Sequence, residues 1–266
     1  MKESLEFYNQ FDNKLINDYA FGNKRLISAI ESLSKYIPIR SKVDVLDIGC
    51  GLGWSTYEFS RFFDNSTFEG IDLSPVLIEK ARKLFQNQNL NYKVFDITKE
   101  VPKKKYDVII MLDVYEHIPV DARKGFHQSL LNLLKRDGRI IIACPTVYHQ
   151  DYLKKNNPEG LQPVDEDIYY DTLQELAKDI EGQVVYFEYK NIWRNYDYFY
   201  SVIQKEVEYN SQNLIKDDID FQIEQQTIRL KRLKDNLGIL LEVKKGKKSK
   251  SRFQRLAKKI KKKISK

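Results

Sequence analysis

Between residues 43 and 145, short apolar runs alternate with helix-length amphipathic segments, and this alternation leaves few folds open. "VDVLDIG" (43–49), "TFEGIDL" (67–73), "NYKVFDI" (91–97), "YDVIIML" (106–112) and "RIIIACP" (139–145) read as buried strands. Residues 53–63, 74–85 and 121–138 read as helices between them, the second opened by Ser74 with Pro75 just inside, the third closed by Gly138. Strands alternating with helices of this length build a parallel sheet covered on both faces.

The flanks extend that frame. Apolar residues at helical intervals in 3–37 (Ile16, Tyr19, Leu26, Ile30, Leu33) predict two helices before the first strand. After Pro145 the pattern predicts a loop over 146–168, a helix near 170–180, and two strands at 183–190 and 196–206. The expected architecture is therefore a Rossmann-like, doubly wound seven-stranded α/β sheet, mostly parallel with an antiparallel last strand. It divides into N-terminal helices (1–42) covering a ligand site, a core (43–208), a helical extension (209–243) and a basic tail (244–266). Ile219, Ile223, Leu230, Leu233, Leu237 and Leu240 form the stripe of that extension, which docks on the body or pairs with a copy of itself.

Charge is unevenly placed. Residues 244–266 hold 13 of the chain's 45 Lys and Arg and no acidic residue, leaving 32 basic against 38 acidic residues elsewhere. The basic balance thus belongs to the tail and says nothing about the ligand of the body. Phe253, Leu256, Ala257, Ile260 and Ile264 share one helical face of the tail, a pattern suited to an anionic membrane surface. RNA is the weaker partner for the same charge. The longest apolar runs fall far short of the roughly 20 residues that span a bilayer. The first residues, "MKESLEFYNQFDNK", carry no apolar signal-peptide core. Cys50 and Cys144 have no metal-ligand spacing and read as free thiols of a reducing cytoplasm.

The chemistry concentrates in "VLDIGCGLGW" (45–54), where Gly49, Gly51 and Gly53 follow the first strand. Glycines there let a ligand approach bare backbone. A dinucleotide fingerprint would need glycine at 54 or 56, which are Trp54 and Thr56, and no Walker lysine is present. The stretch resembles instead the first motif of class I S-adenosylmethionine-dependent methyltransferases, with Asp47 two positions before the glycines. Three further elements follow in family order: Asp72 with Leu73 after the second strand, Asp96 with Ile97, and Leu112-Asp113 at the end of the fourth. The resemblance covers roughly residues 40–205. It implies that Asp47 faces the cofactor's ammonium, Asp72 its ribose hydroxyls, and Ile97 its adenine.

"LDVYEHIP" (112–119) further resembles small-molecule O-methyltransferases, including the ubiquinone-biosynthesis type. It lacks the Asn/Asp-Pro-Pro-aromatic motif of base N-methylation. The likeness implies catalytic roles for Asp113, Glu116 and His117, with His117 as base or acceptor contact. The same three could gather a divalent cation such as Mg2+. Tyr148 and His149 fall where family members build acceptor pockets, and "NIWRNYDYFY" (191–200) reads either as a stacking surface or as a final buried strand. His127 reads as a packing or surface residue, Cys50 and Cys144 as packing. The expected function is O-methylation of a hydroxyl on a glycan or lipid-linked intermediate at the cytoplasmic membrane surface. Alternatives are a soluble quinone or natural-product O-methyltransferase, an RNA methyltransferase, and a noncatalytic scaffold.

Overall fold

Every apolar run between 43 and 145 becomes a strand of one seven-stranded sheet. A computed structural model describes residues 11–100, 102–206 and 215–241. The strands are β1 (Asp44–Ile48), β2 (Thr67–Asp72), β3 (Leu90–Val94), β4 (Tyr106–Leu112), β5 (Leu134–Pro145), β6 (Gly182–Lys190) and β7 (Tyr198–Lys205). Their order is β3-β2-β1-β4-β5-β7-β6. The first five run parallel, and β7 pairs antiparallel with both β5 and β6. β1 and β4 lie side by side although four elements separate them in sequence. Their C-terminal ends form the switch point where such sheets hold ligands.

Helices cover both faces. α1 (Asp12–Phe21), α2 (Lys24–Leu33), α3 (Trp54–Phe62), α4 (Pro75–Leu84), α5 (Arg123–Leu133), α6 (Val147–Asn156), α7 (Tyr170–Asp179) and α8 (Gln226–Leu237) follow in chain order. One apolar layer joins Ile109, Met111, Ile140 and Ile142 of the sheet to Phe126 and Leu130 of α5 and Leu173 and Leu176 of α7. The other joins Val108, Ile110 and Ile141 to Ala29, Ile30 and Leu33 of α2 and Phe59 of α3. A third cluster packs Ile16 and Tyr19 of α1, Ile78 and Ala81 of α4, and Leu233 of α8 around Trp54. Ser74 caps α4 by accepting from the Leu77 N–H with Pro75 at the first helical position, as its sequence predicts.

Three local expectations are corrected. The helix expected over 121–138 ends at Leu133, because Leu134 pairs with Tyr106 and begins β5. Lys135, in the stretch expected as helix, instead bridges Asp44 and Asp107 at 2.9 and 2.7 Å. Gly138 therefore lies inside a strand. The loop expected over 146–168 contains α6, capped by Thr146, whose side chain accepts from the His149 N–H. The continuous stripe expected over the extension is helical only at Gln226–Leu237 among the described residues. That helix docks on α1 and α4. The tail 244–266 lies outside the described residues. Among those described, no helix is long and apolar enough to cross a membrane.

Candidate functional site

The glycine turn after β1 faces the ends of β2 and β4 and the helices α1 and α2. Asp47, Gly49, Gly51, Asp72, Leu112, Asp113, His117 and Gln162 line one cleft with Leu15, Asp18 and Arg25 from the N-terminal helices. Gly49, Gly51 and Gly53 all have positive φ, at 66°, 54° and 85°, a region that costs other residues strain. Two of them are also demanded by protein neighbours. A Cβ at Gly49 would meet Val114 Cγ2 at 2.6 Å, and one at Gly53 would meet the Tyr92 ring at 2.7 Å.

Carboxylates organise the turn. Asp47 is buried, and the Ser55 and Thr56 hydroxyls both donate to its Oδ2, at 2.8 and 2.6 Å. Burial pushes its pKa up to about 6. Asp72 accepts from the Gly51 N–H through Oδ2 and the Ser74 N–H through Oδ1, both at 2.9 Å. It thereby ties the second strand to the glycine turn. Burial raises its pKa too. These two acids, bare glycine backbone and apolar Leu77 and Leu112 fit an ammonium, a diol and a flat ring, the parts of S-adenosylmethionine.

The opposite end of the cleft carries the polar cluster after β4. Asp113 holds φ at 55°, strained for a residue with a side chain, and its N–H donates to the Ala143 carbonyl. Arg25 Nε lies 3.0 Å from Asp113 Oδ2, and Arg25 Nη1 donates to the Tyr198 hydroxyl at 3.0 Å. Asp113 Oδ1 and Gln162 Oε1 are buried acceptors with no hydrogen-bond partner among the described residues. His117 Nδ1 donates to the Val164 carbonyl at 2.7 Å and sits 3.2 Å from Asp165 Oδ1, while its Nε2 is 3.8 Å from Glu116 Oε1. Burial disfavours charge on His117, but Glu116, Asp165 and the Val164 carbonyl outweigh it and raise its pKa. Burial likewise raises that of Glu116.

The neighbours of His117 favour its charged form, which weighs against a base and leaves the expected acceptor contact. One expectation is revised: the Mg2+ set does not assemble. Asp113 is committed to Arg25, Glu116 accepts from the Cys144 thiol at 3.1 Å, and His117 turns to Val164 and Asp165. No group of three or more His, Cys, Asp or Glu among the described residues is placed to hold a metal ion.

Other expected residues lie elsewhere. Gly53 opens α3, and Glu116, Leu73, Asp96 and Ile97 do not line the cleft. Asp96 closes a local turn through the Thr98 N–H and pairs with Lys99, and Ile97 is buried in the core. Cys50, which does line the cleft, and Cys144 are buried thiols whose pKa burial raises, consistent with packing. His127 is buried, bonded to the Tyr115 hydroxyl and to Asp179, both at 2.7 Å. Of the segment 191–200, Tyr198, Phe199 and Tyr200 are buried in β7, whereas Trp193 and Tyr196 are exposed. Arg25 and Gln162 were not legible in the sequence. Asn23, whose side chain accepts from the Arg25 and Leu26 N–H groups to cap α2, was the one local signal near Arg25.

Comparison with known proteins places this geometry. The chain matches the family model described as "Methyltransferase domain" over residues 19–183. It is 31% identical over 160 residues to malonyl-[acyl-carrier protein] O-methyltransferase 2 of Ilyobacter polytropus, covering 58% of this chain and 60% of that one. It spans 47% to 60% of the length of the first curated relatives it matches. The solved magnesium protoporphyrin IX methyltransferase of Synechocystis with bound SAH superposes with a TM-score of 0.60, at 18% identity, over 77% of this chain and 100% of that one. The DhpI–SAH complex gives a TM-score of 0.59 at 15% identity, over 77% and 96%. The family match extends over more than half of the chain, and the sheet order and glycine turn agree with it. The chain belongs to the class I S-adenosylmethionine-dependent methyltransferases.

Proposed function

We propose that this chain is an S-adenosylmethionine-dependent O-methyltransferase whose acceptor is a neutral hydroxyl. The observation that carries this reading is the pair of buried acceptor atoms in the cleft, Asp113 Oδ1 and Gln162 Oε1, which lack donors among the described residues. Buried acceptors left unpaired are costly, so the site asks for a ligand that donates. A hydroxyl donates; a carboxylate does not. The cations nearby are already matched, Arg25 to Asp113 and His117 to Glu116 and Asp165. A carboxylate acceptor would therefore meet compensated charge. Bound S-adenosylmethionine supplies an electrophilic methyl group, whose bond to sulfur breaks as the bond to the acceptor oxygen forms. The chain's task is to hold the acceptor in line and manage its proton.

Several curated relatives are named malonyl-[acyl-carrier protein] O-methyltransferases, and a malonyl thioester offers a carboxylate oxygen. This is the competing acceptor that the experiment must separate. Calorimetry measures S-adenosylmethionine binding. Labelled methyl transfer is then assayed with hydroxyl-bearing acceptors and with a malonyl thioester. Transfer to hydroxyls alone supports the reading. Transfer to the thioester alone replaces it with carboxylate chemistry, and a folded protein that binds no S-adenosylmethionine removes the enzyme reading. A glycan or lipid-linked hydroxyl at the inner membrane face is the acceptor we favour, on the strength of the basic amphipathic pattern at 244–266.

A further inference from the structure

Arg25 is the only lysine or arginine among the described residues that line the cleft. Two physical effects oppose a cation there. It lies in the first turn of α2, where the helix N-terminus disfavours positive charge and no acidic residue compensates. Burial also disfavours its charge, but Asp113, the Tyr198 hydroxyl and Glu116 outweigh burial and raise its pKa. Tyr198 is buried in β7, and its hydroxyl accepts from Arg25 Nη1 at 3.0 Å, so the sheet also fixes the guanidinium at the cleft.

Asp113 meets Arg25 without closing the pair. Its Oδ2 lies 3.0 Å from Arg25 Nε, but the two are not aligned for a hydrogen bond. Arg25 Nε thus remains a buried donor, and Asp113 Oδ1 a buried acceptor, with no hydrogen-bond partner among the described residues. Asp113 takes this place at a φ of 55°, which a side chain opposes. A neighbouring donor and acceptor left open match a group that accepts and donates at once. A hydroxyl does both. A carboxylate only accepts, and the charge of Asp113 repels it.

We propose that Asp113 and Arg25 set acceptor specificity: the charge of Asp113 neutralises Arg25, the pair reads a hydroxyl, and without that charge Arg25 binds a carboxylate. This inference rests on the hydroxyl reading above. Removing one side of a buried ion pair leaves the other charge uncompensated. Here the charge left behind is a guanidinium, whose planar fork fits a carboxylate bidentately. The Tyr198 hydroxyl still holds Nη1, so Arg25 keeps its place when Asp113 is changed. A carboxylate oxygen that takes the methyl carbon has no proton to lose, and the electron pair of the broken C–S bond stays on sulfur. Hydroxyl and carboxylate chemistry are thus separated in this cleft by one side-chain charge.

The test uses the full chain saturated with S-adenosylhomocysteine, with malonate as the carboxylate probe. Asp113→Asn removes the charge and keeps the shape, and asparagine tolerates positive φ. Asp113→Gly, unstrained at that φ, is the second variant and leaves room for the ligand's own carboxylate. Calorimetry should show malonate binding about tenfold to hundredfold tighter to either variant than to the wild type, and malonate should raise the melting temperature of the variants alone. Arg25→Gln added to Asp113→Asn should return the affinity to the wild-type level. With S-adenosylmethionine and a malonyl thioester, the Asp113 variants should transfer labelled methyl that the wild type does not. If neither variant gains affinity, or both unfold and malonate does not restore them, the proposal is overturned. A gain that survives Arg25→Gln overturns it too, because another cation then holds the carboxylate. If the wild type methylates methyl glucoside or catechol while the variants gain no malonate binding, this inference falls and the hydroxyl reading stands. A wild type that itself methylates the malonyl thioester removes the hydroxyl reading, and this inference with it.

Discussion

Asp47 and Asp72 occupy one cleft but respond differently to its ligand. Asp47, with a pKa near 6, lines the cleft, and the family resemblance implies that it faces the cofactor's cationic ammonium group. A cation favours the ionised carboxylate, so below pH 6 binding must expel a proton. S-adenosylmethionine affinity should therefore fall with pH, by about tenfold near pH 5 relative to neutrality. Calorimetry across that range checks this, and in Asp47→Asn the acidic decline should vanish. Asp72 has two duties, since its oxygens hold the Gly51 and Ser74 N–H groups. Asp72→Ala should weaken cofactor binding about tenfold to hundredfold, because a hydrogen bond to a charged group contributes about 1.5–3 kcal/mol. An unchanged Kd in a folded variant would show that the carboxylate serves only the turn. Asp47, the glycines and Asp72 were legible because their spacing is local to one strand–turn–helix unit. Arg25 was not, since it meets the Tyr198 hydroxyl across 173 positions. His117 was legible as a residue of the cleft but not in its protonation, which burial and the adjacent Glu116 set together with Asp165 and the Val164 carbonyl, the last two arriving from a later loop.

At the scale of elements, amphipathic period decided what could be read. α4 carries both a capping serine and an apolar face, and it was placed within a residue at each end. α6 has one buried residue, Gln150, so its composition offered no stripe, and its Thr146 cap is evident only in the structure. The end of α5 was obscured because Leu133 and Leu134 are both fully buried, one ending a helix and the next opening a strand. α8 shows the other limit: its stripe was visible, but not its target. Arg229 donates to the Tyr19 carbonyl at 2.7 Å, Arg232 pairs with Glu224 at 2.7 Å and reaches the Tyr57 hydroxyl at 2.8 Å, and Leu233 is fully buried. The extension thus straps α1, whose Leu15 and Asp18 line the cofactor cleft. Leu233→Ala should cost about 2–5 kcal/mol of stability through the cavity it leaves. Thermal or denaturant unfolding reads that loss, and a smaller, parallel loss of cofactor affinity is expected as α1 loosens. A variant with wild-type stability would show that the strap is not coupled to the body.

Across the whole molecule, charge and fold are separable. The sheet, the cleft and the strap are described without any residue beyond 241, whereas the excess of positive charge sits at 244–266. Removing that segment should leave melting temperature and S-adenosylmethionine affinity at their full-length values. Its 13 basic residues and the apolar residues Phe253, Leu256, Ile260 and Ile264, spaced as on one helical face, should instead govern attachment to a surface. Each basic residue near an anionic bilayer contributes about 1 kcal/mol, and the apolar face adds a share that salt does not screen. Full-length protein should therefore sediment with phosphatidylserine-containing vesicles and less with neutral ones, keeping part of its binding at high salt. The truncated protein should bind neither. RNA binding by counterion release would disappear with salt and show no preference for vesicles. If full-length protein ignores anionic vesicles yet binds RNA with a steep salt slope, the membrane attachment is wrong, and the acceptor should be sought among soluble or RNA hydroxyls.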